Sequence, residues 1–446
     1  MKIQLEKSEL NRFWFTAMVV VFSLCLFSVM VFTGYRETIN NIIAIVSFII
    51  SVYLAYVYRY NIGLFLVMLM ILYTNYSITV GVFIDPSIRP ESLYYQIENI
   101  DTYGKGIVCI FIFEFVLLLM SYNVVKKPQD FDVNDKYFIE QNEYNVVVAY
   151  GAIVVYAIMF FSGFNFGLGE GGRAANSALA EYKIIVQIIG MYYSGRKKHL
   201  TIFWTLIVGL TTLMTFMGGN RIDAISNIIA LILFGYSHFL NYKRIMIALP
   251  IGIIVLAGIG YMRIDFSLSL EKLNSTLQIL TQDKLTYEGA IIGYVPSLAT
   301  IEMVEFIPTE EKYQLFLDHI KYIFTFGETV DVQGDLSDYS RNYYLHYWGF
   351  ISPTYFYFWF KYIGPVLFAL LVNVYIKMYV KSTRKVLVNF SEKLMYILSM
   401  YFICNVGRWY CYGPMCLFRG AFVCIIVYAI VYFVDNIIRK GKKERS

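Results

Sequence analysis

Charged residues are scarce in this chain. Asp, Glu, Lys and Arg make up 15% of the 446 residues, whereas hydrophobic residues make up 58%. Soluble domains carry roughly a quarter charged residues, so this composition excludes an ordinary soluble globular protein. The formal net charge of +5 is modest, and we expect no nucleic-acid partner.

Cysteine is also rare, with six residues in the whole chain. Four of the six fall inside long apolar stretches, where a thiol behaves as a small apolar side chain. Cys411 and Cys416 are the remaining candidates for a disulfide, and pairing between them is the less favoured interpretation. The sequence therefore contains no disulfide framework.

Several motifs of soluble enzymes are missing from the sequence. It has no P-loop, no zinc-type cluster of His and Cys, and no serine nucleophile elbow. Asp130 and Asp132 form the one closely spaced acidic pair of the metal–nucleotide kind, and they fall in a connecting segment away from the arginines discussed below. We therefore expect neither a metal nor a cofactor.

Long uncharged stretches dominate what is present, and they match the ~20 residues that a helix needs to cross a bilayer. We predict an all-α polytopic membrane protein with about twelve transmembrane helices. An even number of spans puts both termini on the same side of the membrane. Basic clusters such as Arg196–Lys198 and Lys243–Arg244 fall in loops on that side, and basic residues favour cytoplasmic loops. We therefore expect both termini to be cytoplasmic. The predicted spans are 13–33, 41–58, 63–84, 106–122, 144–162, 181–195, 200–217, 222–240, 245–262, 353–376, 392–406 and 419–437.

One large loop interrupts this pattern and divides the chain into three predicted parts. Residues 1–262 contain the first nine helices, 263–352 form the large periplasmic loop, and 353–446 contain the last three helices and a basic tail. The loop contains a predicted amphipathic helix that begins near Thr309 and ends by Gly327. On this helix we expect His319 to face water. There is no internal repeat of the kind found in many transporters.

Arginines at predicted helix starts on the loop side of the membrane are the first candidate site residues. Asn220 is a suitable N-cap, so a helix should begin at Arg221 with its free N–H groups pointing outward. Such a helix end attracts anions, and a guanidinium adds a fixed planar donor for phosphate oxygens. The preceding Gly218 and Gly219 allow close approach of a ligand to the backbone.

Two further helix starts, at Ser352–Pro353 and at Arg419–Gly420, follow the same logic. Together with Arg263 and Arg408, these groups could converge on one anion. The alternative for each arginine is contact with lipid headgroups or with a nearby acid such as Asp223.

A dense aromatic segment from Arg341 to Gly349 surrounds His346, just before a predicted span. A neutral imidazole there could act as a general base near pH 7. The alternative is an interfacial histidine among membrane-belt aromatics, and the sequence leaves both open.

Two of these segments, Phe216–Arg221 and Leu345–Pro353, resemble those of the Wzy-type polymerases of O-antigen and enterobacterial common antigen. Arg263, Arg408 and Arg419 support the resemblance. It implies a lipid-donor glycosyltransferase of the bacterial inner membrane that joins undecaprenyl-pyrophosphate-linked repeat units at the periplasmic face without a metal.

The chain departs from the family in one respect. Arg341 and Gly349 are closer together than the ten-residue spacing of some members, and the Arg173 loop has no such glycine. A two-loop catch-and-release scheme is therefore not supported.

The predicted function is thus polymerisation of these repeat units, with lipid-linked donor and acceptor as partners and with a chain-length regulator allowed. We assign His346, Arg221 and Arg341 to catalysis. Pyrophosphate binding is assigned to Arg221, Arg263, Arg408, Arg419, Arg173 and Asn220. An O-antigen ligase or a lipid-linked oligosaccharide flippase is the alternative, and a solute transporter is less favoured.

Overall fold

The computed structural model describes residues 13–23, 25–26, 28–29, 34–84, 97, 99–124, 143–162, 178–217, 221–249, 293–325, 335–344, 349–384 and 386–443. These residues are almost entirely helical. None of them forms a β-strand, and two isolated bridges join Tyr144 to Ser194 and Phe350 to Tyr412. The helices are α1 (Phe13–Ser23), α2 (Glu37–Tyr58), α3 (Ile62–Ile78, continued by a π-helical turn over Thr79–Ile84), α4 (Ile100–Val124), α5 (Val146–Ser162), α6 (Ala178–Tyr193), α7 (Lys198–Met217), α8 (Arg221–Gly235), α9 (242–249), α10 (Val295–Phe306), α11 (Thr309–Ile323), α12 (Leu336–Ser340), α13 (Ser352–Tyr355), α14 (Tyr357–Phe360), α15 (Ile363–Thr383), α16 (Phe390–Cys404), α17 (Val406–Cys411) and α18 (Met415–Lys443).

Five helical segments in the described part are long and apolar enough to cross a membrane. They are Glu37–Tyr58, Ile62–Ile84, Ile100–Ser121, Ile363–Thr383 and Met415–Gly441. The predicted all-α class with candidate membrane-spanning helices is thus confirmed for the described residues, whereas the twelve spans and the large periplasmic loop stay predictions.

Apolar side chains on the outside of the bundle agree with this class. On α2, Ile45, Ile49, Val52 and Tyr56 are exposed and recur at helical spacing, while the opposite face is buried. A similar exposed stripe of leucines follows α7. Such stripes are unfavourable in water and suit the hydrocarbon of a bilayer.

The helices run between two ends of the bundle, which we call the upper and the lower end. At the lower end, Glu143 before α5 pairs with Lys393 of α16 and, at 2.7 Å, with Arg439 of α18. At the upper end, the Tyr35 hydroxyl contacts the Tyr362 hydroxyl before α15. The long helices connect these ends, and α2, α3, α4, α15 and α16 contribute much of the buried core.

Residues 293–325, 335–344 and 349–360 form a folded layer at the upper end, which we call the upper subdomain. It has a small hydrophobic core of its own that includes Leu315, Tyr339 and Phe358. The Tyr294 hydroxyl donates to the Tyr103 carbonyl of α4 at 2.6 Å, which joins this layer to the bundle.

The predicted span 353–376 begins in the wrong place. The structure has two short helices, α13 and α14, and the long helix α15 begins only at Ile363. Lys361 adopts a positive φ of 46° that ends α14. A Cβ at Gly364 would lie 2.4 Å from the Phe356 carbonyl oxygen, so glycine permits this tight reversal.

The predicted opening of the last span at Arg419 is also wrong. The turn contains Gly413 with φ +89°, and α18 begins at Met415, which leaves Arg419 in the second helical turn. The side chain of Arg419 therefore does not stand at a helix N-terminus.

Candidate functional site

The N-terminus of α8 lies at the upper end of the bundle, as the sequence predicts. This helix begins at Arg221, and Asp223 occupies its first turn, where a carboxylate is favourable against the helix dipole. Asn220 and the side chain of Arg221 lie outside the described part of the chain. The backbone therefore places one predicted anion-binding helix start here.

Arg408 reaches this helix start from α17. Its Nε contacts the Asp223 carboxylate, and both side chains are mostly buried. Asn405 ends α16, and the short α17 that follows carries Arg408 towards α8. Two segments that the sequence assigns to pyrophosphate binding are thus brought together.

Lys183 of α6 is a third charged group in this place, and the sequence analysis missed it. Its side chain is buried, with Nζ 5.4 Å from the centroid of the Phe160 ring. Asp223 and Arg408 are both close enough to act on its ammonium group electrostatically. The sequence signal for Lys183 was a single lysine within an apolar helix. An ionisable side chain inside a membrane helix is energetically unfavourable and often belongs to a functional site.

Lys183, Asp223 and Arg408 form what we call the α8 cluster. It contains two cations and one anion, beside the partial positive charge of a helix N-terminus. A second anion can therefore be accommodated electrostatically. Diphosphate is such an anion, because guanidinium, ammonium and backbone N–H groups all donate to phosphate oxygens.

Arg419 belongs to a different contact. Its Nε donates to the Thr325 carbonyl at 3.1 Å, and its guanidinium carbon lies 4.5 Å from the centroid of the Tyr322 ring. Arg419 is therefore buried between α18 and the end of α11. These two contacts attach Arg419 to the end of α11.

His319 is buried in the same α11–α18 contact, so the prediction that it faces water is wrong. Its ring packs against the rings of Trp359, at 5.1 Å between centroids, and of Phe418. Its Nδ1 lies 3.3 Å from the Tyr355 hydroxyl, which lies 3.2 Å from the Asp335 carboxylate. With the hydroxyl proton directed to Asp335, a neutral imidazole donates from Nδ1 and carries its lone pair on Nε2.

The error arose because the apolar stripe of α11 faces outward. Tyr313, Ile320 and Phe324 are exposed, whereas Leu315 and His319 are buried. Residues four apart lie on one helix face, so the pair 315/319 was a usable signal. The exposed stripe suits a helix that lies at a membrane surface.

Arg341 is exposed at the end of α12, and its backbone N–H donates to the Asp338 carbonyl at 3.2 Å. Near it, the Tyr339 hydroxyl contacts the Glu311 carboxylate and lies 3.1 Å from the Tyr343 hydroxyl. Burial, followed by these two hydrogen bonds, raises the pKa of Tyr339 above its ordinary value. Tyr339 therefore stays neutral and fixes α12 to α11.

The remaining predicted site residues, His346, Arg263 and Arg173, lie outside the described residues. Within the described ranges, no three His, Cys, Asp or Glu side chains are grouped so that they could hold a metal ion. This part of the chain accordingly offers no candidate metal ligands of that kind.

Comparisons with protein-family models, with curated proteins and with solved structures gave no match for this chain.

Proposed function

We propose that the protein is a bacterial inner-membrane glycosyltransferase that polymerises undecaprenyl-pyrophosphate-linked oligosaccharide repeat units into O-antigen or a similar surface polysaccharide. In this proposal the upper end of the bundle faces the periplasm. Both termini are cytoplasmic, twelve helices span the membrane, and the reaction needs no metal.

The α8 cluster is the observation that carries this proposal. An acceptor hydroxyl attacks the anomeric carbon of the growing glycan, and undecaprenyl pyrophosphate leaves with the bonding electrons. Negative charge grows on the leaving diphosphate, so cations fixed in advance lower the barrier. Arg408, Lys183 and the start of α8 would supply those charges, with Asp223 holding Arg408 in place.

Two imidazoles are candidates for the group that deprotonates or orients the acceptor hydroxyl. His346 was assigned this role from the sequence. His319 is the second candidate, because the Tyr355 hydroxyl, which also contacts the Asp335 carboxylate, lies 3.3 Å from its Nδ1 and orients the ring. In the proposal Arg341, Arg221, Arg263, Arg173 and Asn220 keep their assigned roles, and Arg419 supports α11 beside His319.

The lipopolysaccharide or capsule ladder of a deletion strain tests this function against its alternatives. Loss of a polymerase leaves core capped by a single repeat unit. Loss of an O-antigen ligase or of a lipid-linked oligosaccharide flippase leaves bare core, and either pattern would replace the proposal.

Complementation of that strain tests the site. We expect Arg408→Ala to leave the deletion strain with single-repeat glycans at normal protein level, because removal of one charge-stabilising donor typically lowers the rate about 100-fold or more. Arg36→Ala is the matched control, since Arg36 is exposed at the same end of the bundle. A full ladder from the Arg408 variant would contradict the assignment.

A further inference from the structure

A carboxyl group lies in the interior of the bundle, away from the upper end. Glu114 is fully buried near the middle of the candidate membrane span of α4. Its carboxylate is contacted by the hydroxyls of Ser47 and Ser51 from α2 and by the amide of Asn75 from α3. These three partners are neutral.

Further polar side chains connect this carboxylate to α17. The Asn75 amide nitrogen also donates to the Ser51 hydroxyl at 2.7 Å, and the Tyr410 hydroxyl donates to the Asn75 oxygen at 3.2 Å. Thr74 contacts the Cys411 thiol at 3.3 Å. The titratable side chains of α17 on this side, Tyr410 and Cys411, are both ordinarily neutral near pH 7.

An ionised carboxylate in such a place is unfavourable. Charges in the low-dielectric interior of a protein or bilayer are normally neutralised by a partner, by a bound ion or by protonation. Neutral hydrogen-bond donors stabilise a carboxylate without removing its net charge. The contacts of Glu114 therefore satisfy its lone pairs and leave its charge to be balanced.

We propose that Glu114 binds one monovalent cation, either a proton or a sodium ion, inside the membrane. One carboxylate balances one positive charge, which is the reason for a monovalent rather than a divalent ion. The carboxylate and the hydroxyls of Ser47 and Ser51 place several oxygen atoms together, and oxygen is the donor that hard cations prefer. This site does not depend on the proposed glycosyltransferase activity.

The site is joined to the α8 cluster by one short helix. Tyr410 of α17 contacts Asn75, and Arg408 of the same helix contacts Asp223. The Glu114 site is therefore connected, through Asn75 and Tyr410, to the helix that carries Arg408.

Thermal unfolding of the purified full-length chain in nanodiscs tests the proposal. For a sodium ion, we expect the unfolding temperature of the wild type to rise with sodium chloride at fixed pH, against choline chloride as the salt control. For a proton, we expect it to fall as pH rises in sodium-free buffer. Both responses reflect a ligand that binds the folded state in preference to the unfolded state.

The variant Glu114→Gln should lose whichever response the wild type shows, since the amide needs no counter-charge. Asp101→Asn is the matched control, because Asp101 is an exposed carboxylate in the same helix and its loss should leave the response unchanged. Equal sodium and pH responses in wild type and Glu114→Gln would overturn the proposal.

A second variant and an infrared measurement keep the test decisive if Glu114→Gln does not fold. Ser47→Ala suits a helix and removes one oxygen, so we expect a roughly tenfold shift in the midpoint of the cation response. In sodium-free buffer, a proton at Glu114 gives a carboxylic-acid carbonyl band that sodium does not give. An ionised carboxylate together with an absent sodium response would contradict both forms of the proposal.

Discussion

At the scale of single residues, the chemistry of this protein depends on where a few charges are buried. Arg408 of α17 contacts Asp223 of α8, and Lys183 of α6 lies close enough to both for electrostatic interaction. Asp223 holds the guanidinium in a fixed position, which in the proposed reaction would reduce the reorganisation needed when the diphosphate leaves. The sequence analysis gave contact with a nearby acid such as Asp223 as the alternative for each arginine, and Arg408 makes this contact. In the proposal, Arg408 binds the diphosphate while it stays paired with Asp223.

Lys183 gives a prediction at this scale. We expect Lys183→Gln to lower the rate of glycan polymerisation about tenfold to 100-fold, because one cation is lost from the place where leaving-group charge develops. Lys321→Gln is the control, since Lys321 is exposed in the upper subdomain and pairs with Asp318. Rates are compared at equal amounts of purified protein. An unchanged rate for the Lys183 variant would remove this residue from the site.

At the scale of helices, the start of α8 at Arg221 was predictable because a Gly-Gly-Asn sequence precedes it. The start of α15 was not predictable from hydropathy, because Lys361 and Gly364 reverse the chain within a continuous apolar run. The existence of α11 was predictable, and the spacing of Leu315 and His319 marked its buried face, but the partners of that face were not predictable. The aromatic rings that cover His319 belong to α14 and α18, which lie far away in sequence.

The contact of α10 with α4 gives a pH prediction for this scale. Glu302 accepts hydrogen bonds from Thr102 and Tyr344, both at 3.2 Å, and burial raises its pKa above the ordinary value of 4.5. The folded state therefore favours the protonated form of Glu302. This adds to the free energy of unfolding below pH 4.5, and the added stability is lost as pH rises through the folded-state pKa. We therefore expect Glu302→Gln to gain unfolding temperature relative to the wild type as pH rises above 4.5.

Glu305 is the matched control for that experiment, because its pKa shifts the other way. A hydrogen bond from Lys105, at 3.0 Å, lowers the pKa of Glu305 below 4.5. Its contribution is present above pH 4.5 and is lost as pH falls through the folded-state pKa, so Glu305→Gln should differ from the wild type most at higher pH and in the destabilising direction. Parallel pH profiles for the two variants would contradict this account of the contact.

At the scale of the whole molecule, the two ends of the bundle differ in what they contain. The upper end holds a folded layer and the α8 cluster, whereas the lower end holds Arg196, Lys393 and Arg439 at helix termini. Basic residues near membrane helices favour the cytoplasmic side. The proposal therefore assigns the upper end to the periplasm.

Cysteine labelling checks this orientation. In a variant without the six native cysteines, we expect Lys321→Cys in the upper subdomain to react with a maleimide that cannot cross the inner membrane. Lys440→Cys near the end of α18 should react only after the cells are permeabilised, because both positions are exposed and the proposal assigns them to opposite sides of the bilayer. The reverse pattern would place the α8 cluster in the cytoplasm and exclude a periplasmic reaction.

The most direct test of the central claim is a polymerisation assay with the purified protein and an undecaprenyl-pyrophosphate-linked repeat unit. We predict that the wild type and Arg36→Ala extend the glycan and release the lipid diphosphate at similar rates. We predict that Arg408→Ala is slower by about 100-fold or more while remaining folded. Extension by Arg408→Ala at the wild-type rate would contradict the claim that the α8 cluster stabilises the leaving diphosphate.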